Sequence, residues 1–89
     1  MELTDRPSQN PDVTTRSIED LFFLLQSDTR ELHQFNGIGL RIWELIDGQR
    51  SARGICDVVA AEYDVDSRVA QSDVLEFLEE LLGKDLIRV

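Results

Sequence analysis

The 89-residue sequence holds one cysteine, one histidine and two prolines, and its longest uninterrupted apolar run is the five-residue stretch LFFLL at 21–25. A single cysteine excludes an internal disulfide, so stability must come from packing, and a reducing cytoplasm is the natural setting. With only His33 and Cys56, one chain can build neither a histidine-pair metal site nor a His-plus-Cys₂ site, and no metal or cofactor is expected. The short apolar run falls far below the roughly 20 residues of a membrane span. The opening MELTDRPSQNPD lacks the basic region and apolar stretch of a signal peptide. Cations are also scarce: 9 Lys+Arg against 18 Asp+Glu, a formal net charge of -9. A body of that charge repels nucleic acid and anionic membrane surfaces alike.

What is present suits one small globular domain. Hydrophobic residues make up 42% of the chain, too many for a wholly disordered one. The acid is spread evenly, with nine acidic and five basic side chains in residues 1–50 and nine and four in 51–89. Residues 1–12 are polar, contain both Pro7 and Pro11, and show no period, which predicts a mobile lead-in ordered only at its end. The domain is then expected over residues 13–89.

Strand signals come first. Val13-Thr14-Thr15 is β-branched, the run LFFLL follows Ile18, and Ser27-Asp28 marks a turn. Five apolar residues in a row suit a strand covered on both faces. Glu31-Leu32-His33-Gln34-Phe35 reads as a further strand, completing a meander of two or three antiparallel strands. The period changes at Asn36. Ile38, Ile42, Leu45 and Ile46 fall on one helical face, with Asn36 as N-cap and Gly48 as a left-handed terminator. Ser51 caps a second helix carrying Ile55, Val58, Val59 and Tyr63, and Asp66 or Ser67 caps a third that runs to Leu82. Leu86-Ile87-Arg88-Val89 forms a last extended stub. Strands followed by three helices predict an α+β domain of winged-helix type.

The third helix carries more apolar surface than one buried stripe requires. Ala70, Val74, Phe77 and Leu81 form a narrow core-facing stripe at about 100° per residue. Leu75, Leu78 and Leu82 widen it on one side, while Asp73, Glu76 and Glu80 line the other. The three leucines are either further core or the floor of a groove between this helix and the edge strand at 31–35. An unpaired strand edge beside an apolar helix accepts a peptide as an added strand.

Other chemistries find less support. A DNA-recognition role for the third helix meets Arg68 and Lys84 alone against Asp73, Glu76, Glu79 and Glu80, where phosphate binding needs clustered cations. Cys56 beside Ile55 and Val58 reads as a small buried apolar residue rather than a nucleophile. Gly37 and Gly39 supply only G-x-G, without the third glycine and following acid of a dinucleotide fingerprint. The carboxylates single out no acid–base pair. Trp43 lies off the main stripe of its helix and is assigned to packing.

The stretches FNGIGLRIWELIDGQRS, GICDVVAAEYDVD and VAQSDVLEFLEELLGKDLI together resemble the PqqD-like family, also called RiPP recognition elements. The matching elements, in order, are Phe35-Asn36, Ile42-Trp43, Asp47-Gly48, Ser51, Tyr63, Asp73-Val74, Leu78, Leu81 and Leu86-Ile87, and the resemblance as a whole covers roughly residues 13–89. Two departures are Phe35 for the usual leucine before Asn36, and Gly83-Lys84-Asp85-Leu86-Ile87 for the usual Gly-Leu-Ile. The resemblance implies a three-stranded antiparallel sheet packed on three helices and no catalytic residue. It implies capture of the leader of a ribosomally made precursor peptide, delivered to a separate radical S-adenosylmethionine (SAM) enzyme, leader protease or cyclase. It further implies that the leader lies along the third strand, Glu31, Leu32, His33, Gln34 and Phe35, facing the exposed sides of 69–82 on the third helix, where the helical period singles out Asp73, Leu75, Glu76, Leu78 and Leu82 as the expected contacts. Alternation puts Leu32 and Gln34 on one sheet face and His33 and Phe35 on the other, with the leader-facing pair left open. The alternative function class is a winged-helix DNA-binding or transcription-regulatory protein.

Overall fold

The β-branched and aromatic residues of the first third pair as a meander, and every helix that follows stacks on one side of it. The computed structural model describes all 89 residues. Its elements in chain order are β1 (Ser8–Gln9), β2 (Val13–Ile18), β3 (Leu21–Gln26), β4 (Leu32–Phe35), α1 (Gly37–Leu45), α2 (Ala52–Glu62), α3 (Ser67–Gly83) and β5 (Ile87–Arg88). Strands β2, β3 and β4 form an antiparallel sheet in that order, and β1 pairs with β5 in a separate two-stranded sheet. This is the expected α+β architecture, a three-stranded antiparallel sheet with three helices. The strand expected at 31–35 begins one residue later, and the third helix runs one residue further. No helix is long and apolar enough to cross a membrane.

Three local caps start the three helices. The Asn36 side-chain oxygen accepts from the Gly39 amide at 2.9 Å, Ser51 Oγ from Gly54 at 3.1 Å, and Asp66 Oδ1 from Arg68 at 2.8 Å. Each satisfies one of the N–H groups a helix start leaves unpaired, a contribution of about 1 kcal/mol. Gly48, at φ +77°, takes the left-handed turn just beyond α1.

The core gathers Phe22 and Leu24 from β3, Ile42, Trp43, Leu45 and Ile46 from α1 and its end, Ile55 and Val59 from α2, Val74, Leu78 and Leu81 from α3, and Leu86 and Ile87 from the C-terminal stretch. Cys56 lies in the same cluster, and burial pushes its thiol pKa up, which keeps it protonated near neutrality. The run LFFLL departs from the expectation of a strand covered on both faces. Phe22 and Leu24 are buried, but Leu21 and Leu25 are exposed, because all three helices lie on the inner face and nothing covers the outer one.

Residues 1–12, expected as a lead-in ahead of the domain, lie against it through the main chain. The carbonyls of Leu3 and Asp5 accept from Arg53 and Ala52, the first amides of α2, at 3.0 and 2.8 Å, and Pro7 accepts from Gly48 at 2.9 Å. Met1 packs against the core with its ammonium on Glu79 of α3. Asn10 is only 2% exposed; its side chain donates to the Asp85 carbonyl at 2.8 Å and accepts from Asp12 at 3.0 Å. We propose that this segment belongs to the folded unit. Asn10→Ala is then expected to lower stability by about 1–3 kcal/mol, because it leaves the Asp85 carbonyl without its partner. Thermal melting checks this: an unchanged midpoint would mean the segment is not part of the cooperative fold.

Candidate functional site

The register of the meander settles which side chains of β4 face where. Phe35 lies opposite Phe22 and His33 opposite Leu24, both buried, so His33 and Phe35 point inward while Leu32 and Gln34 point out. The Gln26 amide donates to the Glu31 carbonyl at 3.0 Å. Antiparallel alternation then assigns the main-chain groups of 31, 33 and 35 to β3 and turns those of Leu32 and Gln34 toward the free edge. Strand β4 pairs with β3 alone, so that edge is open.

Beside the C-terminal end of β4 lies a cavity of about 400 Å³, enclosed by the start of α1, the end of α2 and the first half of α3. Its walls are Phe35, Ile38, Ile42, Val59, Tyr63, Val65, Ala70, Val74 and Phe77, with Gln34, Asn36 and Asp73 as the polar lining. Ile38, Tyr63 and Val65 are exposed around the cavity mouth, a contiguous apolar surface of the kind that marks interaction sites. Phe35 and Phe77 meet edge to face, ring centroids 5.1 Å apart at 86°. Gly39 makes that contact possible: a Cβ there would lie 2.9 Å from Phe35 Cβ and 3.3 Å from the Phe77 ring.

The groove lies away from the three leucines expected to floor it on α3. Leu78 is 0% exposed and belongs to the core, so it cannot floor a groove. Leu75 and Leu82 are half-buried against the core but do not line the cavity. They lie on the opposite flank of the helix, next to Glu79, where Met1 docks. The groove instead runs along the flank of Asp73 and Phe77, which on the helical wheel continues through Glu80 and Glu76. The acidic flank of α3 and the groove flank are therefore the same.

Of the strand positions, Gln34 and Phe35 line the cavity, whereas Glu31, Leu32 and His33 do not. His33 is half-buried and faces Gln26 Oε1 at 3.0 Å, and the Gln26 amide nitrogen donates to the Lys84 carbonyl at 2.8 Å. With the glutamine oxygen as acceptor, His33 Nε2 carries the proton, so this pair ties the edge strand to the end of α3. Val65, missed in the sequence among its flanking aspartates, carries a usable signal: it is apolar at an element boundary where no core stripe demands it, whereas Ile38, read as part of the α1 stripe, lines the cavity instead.

The family model for Coenzyme PQQ synthesis protein D (PqqD) matches residues 22–87. No curated protein matches the chain significantly. The solved structure of TbiB1 in complex with the TbiA(β) leader peptide is 30% identical, covering 91% of this chain and 94% of that one, with a TM-score of 0.81. Lasso peptide synthetase B1, complexed with the leader peptide, shares the fold at 17% identity and a TM-score of 0.83, covering 94% and 99%. So does the PqqD truncation of Methylobacterium extorquens PqqCD, a stand-alone RiPP recognition element, at 21% identity and a TM-score of 0.82, covering 99% and 94%. Match length and identity agree with the sequence resemblance: the chain belongs to the PqqD family.

Proposed function

We propose that this protein captures the leader segment of a ribosomally synthesised precursor peptide as an added strand on β4 and presents the rest of the peptide to a separate modifying enzyme. The observation that carries the reading is the open edge of β4, with the Leu32 and Gln34 main-chain groups unpaired, beside an apolar cavity walled by Phe35 and Phe77. Main-chain bonds along the edge provide affinity, and an apolar leader side chain entering the cavity provides selection. Asp73, Glu76 and Glu80 on the bordering flank favour a leader with Lys or Arg near its apolar anchors and speed its approach, so the affinity weakens as salt rises.

The protein supplies no chemistry of its own in this reading. The bond-making step belongs to the partner, a radical SAM enzyme, leader protease or cyclase. A DNA-binding role is not favoured, since α3 sets four carboxylates, Asp73, Glu76, Glu79 and Glu80, against Arg68 and Lys84. The test is titration of the labelled protein with synthetic leaders from short precursor genes beside its own, with the TbiA(β) leader as reference. Amide signals of residues 32–35 and of α3 around Asp73 and Phe77 should shift together. If no leader moves them, the reading is wrong.

A further inference from the structure

The outer face of the sheet is as apolar as the groove, and no element of the fold covers it. Ile18 of β2 is 59% exposed and Leu32 of β4 is 62% exposed, with Leu21 and Leu25 of β3 exposed between them. Arg16, Ile18, Phe23, Leu25 and Leu32 enclose a shallow depression of about 210 Å³ that reaches from β2 across β3 to the open edge. A solvent-facing sheet surface ordinarily alternates to polar side chains, and β3 does not.

The register gives this face an occupant. The residues whose main-chain groups face the open edge, Leu32 and Gln34, are the same two whose side chains point outward. A strand added to that edge alternates its own side chains between the two faces, whichever direction it runs. In an antiparallel addition, the leader residue that exchanges both hydrogen bonds with Leu32 must place its side chain on the outer face, directly beside Leu32. We propose that the outer face is a second specificity surface for the leader: the leader residue paired with Leu32 is apolar and packs on Leu32, with Leu25 behind it. The groove then reads one alternate set of leader side chains and the outer face reads the other. This inference rests on the strand-addition reading. Self-association is the weaker use of the face, because two copies each of net charge -9 repel.

A double-mutant cycle tests it. The probe is the gene-neighbour leader that binds most tightly in the titration, with each position along its bound segment changed in turn to alanine. Leu32→Ala should weaken binding about two- to fivefold, the range of a cross-strand apolar pair, with the melting point nearly unchanged because Leu32 is mostly exposed. One outward leader position should show a similar loss, and the two losses together should be less than their product. A leader that binds Leu32→Ala with wild-type affinity, and tolerates alanine at every outward position, overturns the inference while leaving the groove reading intact. Unchanged leader affinity with altered sedimentation of Leu32→Ala would assign the face to a second copy, and would overturn it equally. If no leader binds at all, the strand-addition reading fails and this inference fails with it.

Discussion

Replacing Gln34 with proline is expected to weaken leader binding by about 5- to 150-fold while the protein stays folded. Residue 34 lies in β4 with its N–H turned to the open edge, outside the ladder with β3. Proline is tolerated in an edge strand at such a position, and the residue before it, His33, is already extended. What proline removes is the donor an incoming strand needs, and its ring occupies the approach. The leader carbonyl left without a partner costs about 1–3 kcal/mol, which converts to the stated loss. Gln34→Ala keeps the N–H and should bind within a few-fold of wild type. Calorimetric titration of both variants checks the contrast. Proline binding as tightly as alanine would mean that the leader does not add to this strand.

The second large effect is on stability. Leu78→Ala is expected to destabilise the fold by about 2–5 kcal/mol, from lost burial plus the cavity left behind. For a domain of this size that is a fall of roughly 10–30 °C in the melting midpoint, a large part of a stability of order 5–10 kcal/mol. Leu75→Ala and Leu82→Ala, half-buried on the flank away from the groove, should cost less and leave leader affinity unchanged in the folded protein. Thermal melts paired with binding at a temperature where each variant is folded would distinguish these effects. A Leu78→Ala protein of normal stability that had lost the leader would place the groove on the leucine flank, against the structure.

That distinction marks where the sequence ceased to be readable. The caps at Asn36, Ser51 and Asp66 were legible because a cap is a local bargain between one side chain and an amide two or three residues on. The strand edge was legible for a similar reason, since an extended pattern followed directly by a capped helix ends a meander. The flank of α3 was not. Its apolar arc runs from Phe77 round to Leu75, and a helical wheel does not reveal which end of that arc meets the sheet. In the structure the Leu75 end is the one beside Glu79, where Met1 docks, and the carbonyls of Leu3, Asp5 and Pro7 tie that N-terminal segment to the start of α2 and to Gly48. Main-chain bonds leave no hydrophobic period behind, so a polar segment with two prolines reads as a tail. The run LFFLL misled in the opposite sense. Continuous apolarity signals burial on both faces, yet the outer face of β3 is open.

The central claim, that a leader joins the sheet at β4, is tested most directly by amide hydrogen exchange of residues 32–35 with and without bound leader. The free-edge amides of Leu32 and Gln34 should exchange quickly alone and become protected when the leader binds. Those of His33 and Phe35, already bonded to β3, should change little. Protection in that alternating pattern is what strand addition requires. Protection confined to α3, or equal at all four residues, would contradict it.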